Sequence, residues 1–268
     1  MADPAIAALN LLLRRSSVDD HDEALKLANA AIKAAKGSSD DFATAQHTRV
    51  VALLKLDRFE DALRTIAEGG TNLEKFCLFE KAYALYKTGD LQAAEALVQG
   101  AGPGRGLEHV AAQVAYRAEK FEQAASIYTA LSTGGAREQY REDNDLRINL
   151  SAVHAQLEWQ GKGWAVPEAK KQPGREELEA FETAYNAACG CISRGDFAKA
   201  AVLLKRSRDL CEATEDLNDD EKKAELLPII VQQAYVYTRL GKLDEAANLH
   251  KSIDLSEQVL HLTEVTVC

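Results

Sequence analysis

The chain has 268 residues, a formal net charge of −10 at pH 7 and an isoelectric point near 5.2. Such an acidic surface repels polyanions, so nucleic acid is disfavoured as a partner of this segment unless a basic patch is segregated on it. Aromatic residues make up only 6% of a chain with 5 prolines and 16 glycines, and this composition favours helix almost everywhere and predicts no sheet.

The N-terminal stretch is apolar but does not have the layout of a targeting signal. The residues MADPAIAALNLLLRR lack a basic region before the apolar run, and the run is too short for a secretory signal. No later segment reaches the roughly 20 apolar residues that a membrane-spanning helix needs. We therefore expect no membrane insertion.

A short pattern recurs along the chain: a turn pair, then Phe or Leu, then Ala three residues later. A weak first copy is HDEALKLAN. The clearer copies are RFEDALRTI (58–66), GDLQAAEAL (89–97), KFEQAASIY (120–128), GDFAKAAVL (195–203) and GKLDEAANL (241–249). The alanines at the shared position are called the hinge alanines: Ala24, Ala62, Ala94, Ala124, Ala200 and Ala246.

The spacing of the hinge alanines predicts the architecture. They recur about 34 residues apart, and the gap between Ala124 and Ala200 is about twice as long. That gap contains a degenerate copy, DLRINLSAVHAQLEWQGKGW (145–164), whose second helix is replaced by a loop carrying Pro167 and Pro173. The expected fold is all-α, a right-handed α-solenoid of tetratricopeptide-like helix hairpins with one repeat degenerate. An irregular helical bundle would not repeat this pattern at near-fixed spacing.

Small or modest residues also stand twelve positions before the hinge alanines. They are Val50, Ala82, Ala112, Ala188 and Ala234. Folding the two helices of a hairpin back on each other brings these residues opposite the hinge alanines, so that the helix axes can approach closely. We expect one superhelical domain over residues 1–255, with a loop insertion at about 159–176 and a capping helix or a tail over 256–268.

The first helix of each hairpin is expected to line the concave groove of the solenoid. Counting back about fifteen, fourteen and eleven residues from each hinge alanine gives one helical stripe, which includes His47 and Glu80. The degenerate repeat has no hinge alanine, so its INLSA is aligned with YNAAC of the next repeat, which places Ile148, Asn149 and Ala152 on the stripe. On this stripe we predict a protein-binding groove of aromatic and amide side chains: Phe79, Tyr83, Gln113, Asn149, Tyr185, Asn186, Gln232 and Tyr235. Aromatic rings anchor apolar groups of a partner, and amides pair with its backbone.

The composition of the stripe disfavours one function and leaves an alternative open. No Lys or Arg stands on it, which disfavours capture of a free C-terminal carboxylate, because that anion needs cations to offset its desolvation. Each aromatic side chain could instead pack between repeats, and Asn149 and Asn186 could form hydrogen bonds between adjacent helices.

The cysteines and histidines do not form a recognisable catalytic or metal-binding motif. Five cysteines, with no CxxC pair, predict reduced and mostly buried thiols. His154, Cys189 and Cys191 are candidates for catalysis by chemical type only, because no nucleophile elbow, phosphate loop or metal-ligand spacing surrounds them. We therefore expect no enzyme activity, no cofactor and no metal.

Three longer segments carry a resemblance to a known family. They are CLFEKAYALYKTGDLQAAEALV (77–98), INLSAVHAQLEW (148–159) and AYNAACGCISRGDFAKAAVLLKRSRDLCEA (184–213). Their Phe-Glu-Lys-Ala-Tyr, Asn-Leu-Ser-Ala-Val and Tyr-Asn-x-Ala-Cys runs occur in this order, with an interrupted middle repeat. In these features the chain resembles the N-terminal tetratricopeptide-repeat domain of the 72-kDa subunit of eukaryotic signal recognition particle, over roughly residues 20–255.

The resemblance implies a non-enzymatic scaffold whose groove holds the C-terminal region of the partner 68-kDa subunit, in a particle that targets nascent proteins to the endoplasmic reticulum. It implies contact with signal recognition particle RNA only through a basic C-terminal segment that this sequence does not contain. It also implies a cytoplasmic location, with assembly in the nucleus or nucleolus and association with ribosomes on the endoplasmic reticulum. The alternatives are an adaptor for a short linear motif in another complex, and self-association through exposed end faces.

Overall fold

The computed structural model describes residues 4–13, 20–35, 40–102, 104–133 and 142–253, and within these ranges the regular structure is helical, with no strand. The helices are α1 Pro4–Leu13, α2 His21–Ala34, α3 Asp40–Lys55, α4 Phe59–Glu68, α5 Gly70–Phe76, α6 Leu78–Thr88, α7 Leu91–Gly100, α8 Arg105–Arg117, α9 Phe121–Thr133, α10 Asp143–Trp159, α11 Glu168–Lys171, α12 Phe181–Ser193, α13 Phe197–Ala213, α14 Asp219–Arg239 and α15 Leu243–Ser252. The cap or tail predicted over 256–268 lies outside the described residues.

The chain forms two compact units, Met1–Lys120 and Phe121–Cys268. In the first unit α1 packs on α2, α2 on α3, α3 on α4, α4 on α6, and α6 on α7 and α8. In the second unit α9 packs on α10, α10 on α12, α12 on α13, α13 on α14, and α14 on α15. Within each unit, helices thus pack on helices that are near them along the chain, as in a solenoid. The predicted all-α stacking of hairpins is confirmed within each unit, and the single domain over 1–255 stays a prediction.

The hinge alanines are points of close packing in the hairpins. They and the small residues twelve positions earlier are all buried: Ala24, Val50, Ala62, Ala82, Ala94, Ala112, Ala124, Ala188, Ala200, Ala234 and Ala246. Ala82 and Ala94 belong to one core cluster, and Ala188 and Ala200 belong to another. A small side chain at both points lets two helices approach closely and leaves grooves that receive the ridges of the next hairpin.

Five turns between consecutive helices share one backbone conformation. Gly89, Gly195 and Gly241 have φ angles of 86°, 78° and 74°, and the equivalent residues Asp57 and Glu119 have φ angles of 54° and 58°. These values lie in the left-handed region, which glycine adopts without strain and other residues adopt at a cost. The turn therefore requires this conformation even where the sequence does not supply glycine.

The Gly-Asp pair ends one helix and begins the next. Behind Gly89, the Asp90 N–H donates to the Leu85 carbonyl oxygen at 3.0 Å, which is the closing bond of a Schellman cap. The Asp90 carboxylate then accepts a hydrogen bond from the Ala93 N–H at 3.1 Å and caps the following helix. The repeated dipeptide thus satisfies backbone groups on both sides of the turn.

Exchanging residues at the left-handed position is expected to change stability in opposite directions. In Gly89→Ala no neighbouring atom lies within 4 Å of the added methyl group, so backbone strain alone should cost about 1 kcal/mol. Glu119→Gly relieves the same strain and is expected to stabilise by up to about 0.5 kcal/mol, because the entropy of glycine in the unfolded chain offsets part of the gain. Urea unfolding measures both changes; a clear loss of stability in Glu119→Gly would contradict the explanation.

The degenerate repeat keeps the turn and loses the second helix. Gly161 has a φ angle of 74°, and the Lys162 N–H donates to the Leu157 carbonyl oxygen at 2.8 Å, as in the regular turns. Where the second helix of a hairpin would come, the chain forms only short helical turns: Gly163–Ala165, Glu168–Lys171 and Arg175–Leu178. One complete helix, α10, is thus succeeded by an irregular segment.

The degenerate repeat can be aligned with the next repeat by its sequence motif or by its turn at Gly161. The two alignments differ by three residues. The alignment of INLSA with YNAAC pairs Ile148 with Tyr185, whereas the turn places Ser151 at the position of Tyr185. By the same count, Asn149 stands three residues before the position that Asn186 occupies. The two asparagines therefore do not hold equivalent positions in their repeats.

Two arginines attach the irregular segment to the next hairpin. Arg194 forms an ion pair with Glu158 and donates from Nη2 to the Lys171 carbonyl oxygen at 3.1 Å. Arg206 donates from Nε to the Leu178 carbonyl oxygen at 2.8 Å. The Glu158 side chain is 4% exposed and the Arg194 side chain 32%. Burial raises the pKa of Glu158 above its ordinary value of 4.5, and Arg194 opposes this rise.

A glycine in α12 makes room for this ion pair. A Cβ atom on Gly190 would lie 2.9 Å from Glu158 Oε2 and 3.3 Å from Arg194 Nη1. Because real Cβ atoms essentially never approach an oxygen that closely, a larger residue would displace the carboxylate. The packing of α12 on α10 therefore depends on a glycine at the point where the charge pair is buried.

Candidate protein-binding surfaces

In the first unit, the predicted groove residues Phe79 and Tyr83 lie side by side on α6. Their rings are stacked, with centroids 6.4 Å apart, and the Phe79 side chain remains 43% exposed. Phe79 also lies over Gly106 of α8, where a Cβ atom would come within 2.9 Å of the Phe79 ring. One face of the Phe79 ring is thus fixed by packing while part of the side chain stays open. Gln113 of α8 is half-buried.

Tyr83 also takes part in packing between hairpins. The Tyr83 ring meets the ring of Phe59, the first residue of α4, edge to face, with centroids 6.1 Å apart and planes at 75°. The Lys87 ammonium lies 5.4 Å from the centroid of the same Phe59 ring. Phe59 is therefore held between an aromatic ring and a cation, both supplied by the following hairpin.

The second unit repeats this arrangement at the equivalent positions. The Tyr235 ring meets the Phe197 ring with centroids 6.3 Å apart and planes at 74°, and the Arg239 guanidinium lies 4.4 Å from the Phe197 centroid. Arg239 also donates from Nη1 to the Tyr235 hydroxyl at 2.8 Å. Tyr235 remains 40% exposed. We call each set of a phenylalanine, a tyrosine and a cation a joint stack; its members are Phe59, Tyr83 and Lys87, and Phe197, Tyr235 and Arg239.

The joint stacks are the feature of these surfaces that the sequence pattern did not predict. Phe59 and Phe197 stand two positions after a left-handed turn residue, and the next first helix carries tyrosine six positions before its own turn residue. Phe121 stands at the same position, but there the next first helix carries Ala155. At the boundary between α7 and α8 the same two positions hold Leu91 and Gln113. Packing thus fixes the orientation of the Tyr235 side chain, while part of that side chain remains exposed.

Asn186 and Tyr185 are held by contacts inside the second unit. Asn186 of α12 donates from Nδ2 to Ser151 Oγ at 2.9 Å and to the Ile148 carbonyl oxygen at 3.4 Å, and so connects α12 with α10. Tyr185 is half-buried and packs against the cluster that contains Ala188. For Asn186 the structure therefore shows the hydrogen bond between adjacent helices. Asn149 and Gln232 are half-buried.

The residues considered for catalysis have pKa values shifted by burial. Burial raises the pKa of Cys189 to about 11 and also raises the pKa of Cys191, so both thiols are protonated at neutral pH. Burial, helped by Lys170, lowers the pKa of His154 to about 4, so the imidazole is neutral. His154 lines a cavity of ≈ 360 Å³ between α10, α12 and the irregular segment, together with Asn186.

Among the described residues, no helix has both the length and the apolar character that a membrane-spanning helix needs.

A family model and several curated proteins are similar to this chain. A family model named SRP_TPR_like, whose description reads "Putative TPR-like repeat", matches residues 17–156. The signal recognition particle subunit SRP72 of Canis lupus familiaris is 32% identical over 242 residues, which cover 87% of this chain and 34% of that protein. SRP72 of Homo sapiens is 31% identical over 242 residues, with the same 87% and 34% coverage.

The matches differ in how much of each protein they cover. The chain spans about a third of the length of the curated relatives it matches. A solved structure, that of BtubC from P. vanneervenii, covers 93% of this chain and 94% of its own with 16% identity and a TM-score of 0.48, which is too low to establish a shared fold. The family model covers more than half of the chain, and its repeat description agrees with the hairpins seen here. The chain therefore belongs to the SRP_TPR_like family of TPR-like repeat proteins.

Proposed function

We propose that this chain is a protein-binding scaffold of the signal recognition particle. The observation that carries the proposal is the alignment of 87% of the chain with the particle's subunit SRP72 in two mammals. On this proposal its groove binds the C-terminal region of the 68-kDa partner subunit and supports co-translational targeting of proteins to the endoplasmic reticulum. It would do so in a cytoplasmic ribonucleoprotein complex, without enzyme activity of its own.

The exposed aromatic side chains support a binding role on physical grounds. Phe79 is 43% exposed and Tyr235 is 40% exposed, and each is oriented by contacts with neighbouring helices. A ring that is already fixed loses little conformational entropy on binding, so its buried apolar area contributes more to affinity. The acidic charge of the chain would in addition favour a partner segment with basic residues.

Calorimetric titration with the purified C-terminal region of the 68-kDa subunit tests the proposal. We expect Phe79→Ala and Tyr235→Ala each to weaken binding about tenfold, because a rigid aromatic anchor is lost in each. Val202→Ala is the matched control: Val202 is apolar and 69% exposed, but it lies on α13, the second helix of its hairpin. The control should change affinity less than about twofold.

Thermal unfolding of the same variants separates binding from packing. Tyr235→Ala also removes one member of a joint stack, so Tyr235→Phe, which keeps the ring and loses the hydroxyl, is the companion variant. Retained affinity in folded Phe79→Ala and Tyr235→Ala would show that these rings serve packing alone. No binding of the partner region by the wild-type chain would overturn the proposed function.

A further inference from the structure

Three side chains with metal-ligating atoms converge in the first unit, although the sequence motifs predict no metal. They are His47 of α3, Cys77 between α5 and α6, and Glu80 of α6. One ligand atom from each lies within 4.8 Å of the other two, and His47 Nε2 is 2.8 Å from Glu80 Oε1. Among the residues that the structure describes, this group combines an imidazole, a thiol and a carboxylate at one point.

Local structure fixes the direction of each donor. Cys77 and Glu80 are three residues apart at the start of α6, so their side chains project to the same side of the helix. The Cys77 N–H donates to the Leu73 carbonyl oxygen at 2.9 Å, which holds the junction between α5 and α6. The ring of Phe76 meets the His47 ring edge to face, with centroids 5.0 Å apart. His47 and Glu80 thus belong to helices, and Cys77 stands at the hydrogen-bonded junction between two helices.

We propose that His47 Nε2, Cys77 Sγ and a Glu80 carboxylate oxygen bind one Zn²⁺ ion, with a fourth coordination position left for solvent or a ligand. Zinc bonds of about 2.0–2.3 Å in a tetrahedron place donor atoms roughly 3.3–3.6 Å apart. Donors that already lie within 4.8 Å of one another reach that spacing by movements of about an ångström or less.

The donor set selects zinc over the common hard cations. A thiolate with an imidazole suits zinc, whereas magnesium and calcium prefer sites built from oxygen atoms. The thiolate and the carboxylate together balance the charge of the ion, and binding displaces the thiol proton to solvent. His47 and Glu80 are partly exposed, which gives the ion a route to the buried Cys77. The zinc proposal does not rest on the proposed function, although His47 and Glu80 lie on the stripe from which the groove is predicted.

Cobalt titration of the full chain, freed of metal with a chelator and kept reduced, tests the site. We expect one equivalent of Co²⁺ to produce the near-ultraviolet absorption of a thiolate-to-cobalt transition, and Zn²⁺ to remove it by displacement. Cys77→Ser should abolish the absorption. His47→Gln should weaken binding roughly tenfold or more, since even indirect partners of a metal contribute that much. Cys211→Ser is the matched control, a buried cysteine in the second unit, and should leave the titration unchanged.

Circular dichroism of each variant establishes that the chain remains folded. Because His47 is partly exposed, His47→Gln provides a test even if Cys77→Ser fails to fold. The proposal is overturned if folded wild-type protein shows no such absorption at one equivalent of cobalt. Absorption that survives in Cys77→Ser, or that disappears in Cys211→Ser, overturns it as well.

Discussion

Replacing Arg194 with methionine is expected to lower the free energy of unfolding by about 3 kcal/mol at pH 8. The substitution keeps most of the side-chain volume but leaves the Glu158 carboxylate, 4% exposed, without its cation. Removing one partner of a buried ion pair is far more costly than losing a surface pair, because the remaining charge stays desolvated. Arg194 also holds the Lys171 carbonyl oxygen, so the irregular segment loses one of its attachments.

The cost of Arg194→Met should grow with pH. The folded pKa of Glu158 is already raised above 4.5, so the stability linked to this group is complete below 4.5 and is lost as pH rises through the folded value. Without Arg194 that pKa rises further, so the stability difference between variant and wild type grows as pH rises through the wild-type folded value, which lies above 4.5. Chemical unfolding of both proteins at several pH values measures it.

A surface pair provides the control for Arg194. Arg208 forms an i,i+4 pair with Glu212, and the two side chains are well exposed. Arg208→Met should cost no more than about 0.5 kcal/mol and show little change with pH. A second variant, Glu158→Gln added to Arg194→Met, removes the titrating carboxylate and should flatten the pH dependence. An Arg194→Met cost that matched Arg208→Met at pH 8 would show that the carboxylate finds water or another partner.

Enlarging a hinge alanine is expected to destabilise the chain by a similar amount. In Ala200→Leu the added atoms enter the contact between α12 and α13, where Ala188 and Ala200 share one fully buried cluster. Overpacking of this kind costs about 1–3 kcal/mol, and we expect the upper end because Ala188 and Ala200 are both fully buried. We expect a loss of about 3 kcal/mol in urea unfolding.

The control for this prediction lies in the same helix. Ala198 of α13 is exposed, so Ala198→Leu keeps the same change of residue type and a nearly equal helix propensity. It should change stability by less than about 0.5 kcal/mol. Equal losses in Ala198→Leu and Ala200→Leu would mean that the alanine spacing does not report close packing.

Much of the fold could be predicted because it depends on local periodicity. The hinge alanines and their partners recur at fixed distances, and a helical period converts those distances into buried contacts such as Ala82 with Ala94. The left-handed turn was predictable where Gly89 occupies it and was hidden where Asp57 does. The amino-acid type alone does not reveal a left-handed backbone conformation at a position that is not occupied by glycine.

The candidate sites were less predictable because they depend on contacts between distant segments. The stripe identified Phe79 and Tyr235, yet it could not show that packing against Gly106 or Phe197 fixes their orientation. The convergence of His47 with Cys77 requires the packing of α3 near the start of α6, and no spacing motif encodes it. For Asn149, the motif alignment and the count from the turn at Gly161 give positions three residues apart, and its role in binding stays a prediction.

The joint stacks have a consequence for engineering. Phe59 with Tyr83 and Phe197 with Tyr235 adopt nearly the same distance and angle in separate units, so two hairpin boundaries of this chain share one aromatic contact, and we expect these two boundaries to be exchangeable. A hairpin whose second helix begins with phenylalanine matches any hairpin whose first helix carries the tyrosine and the cation. Modules cut at these boundaries could accordingly be reordered or duplicated, with the connector specifying which ends are compatible.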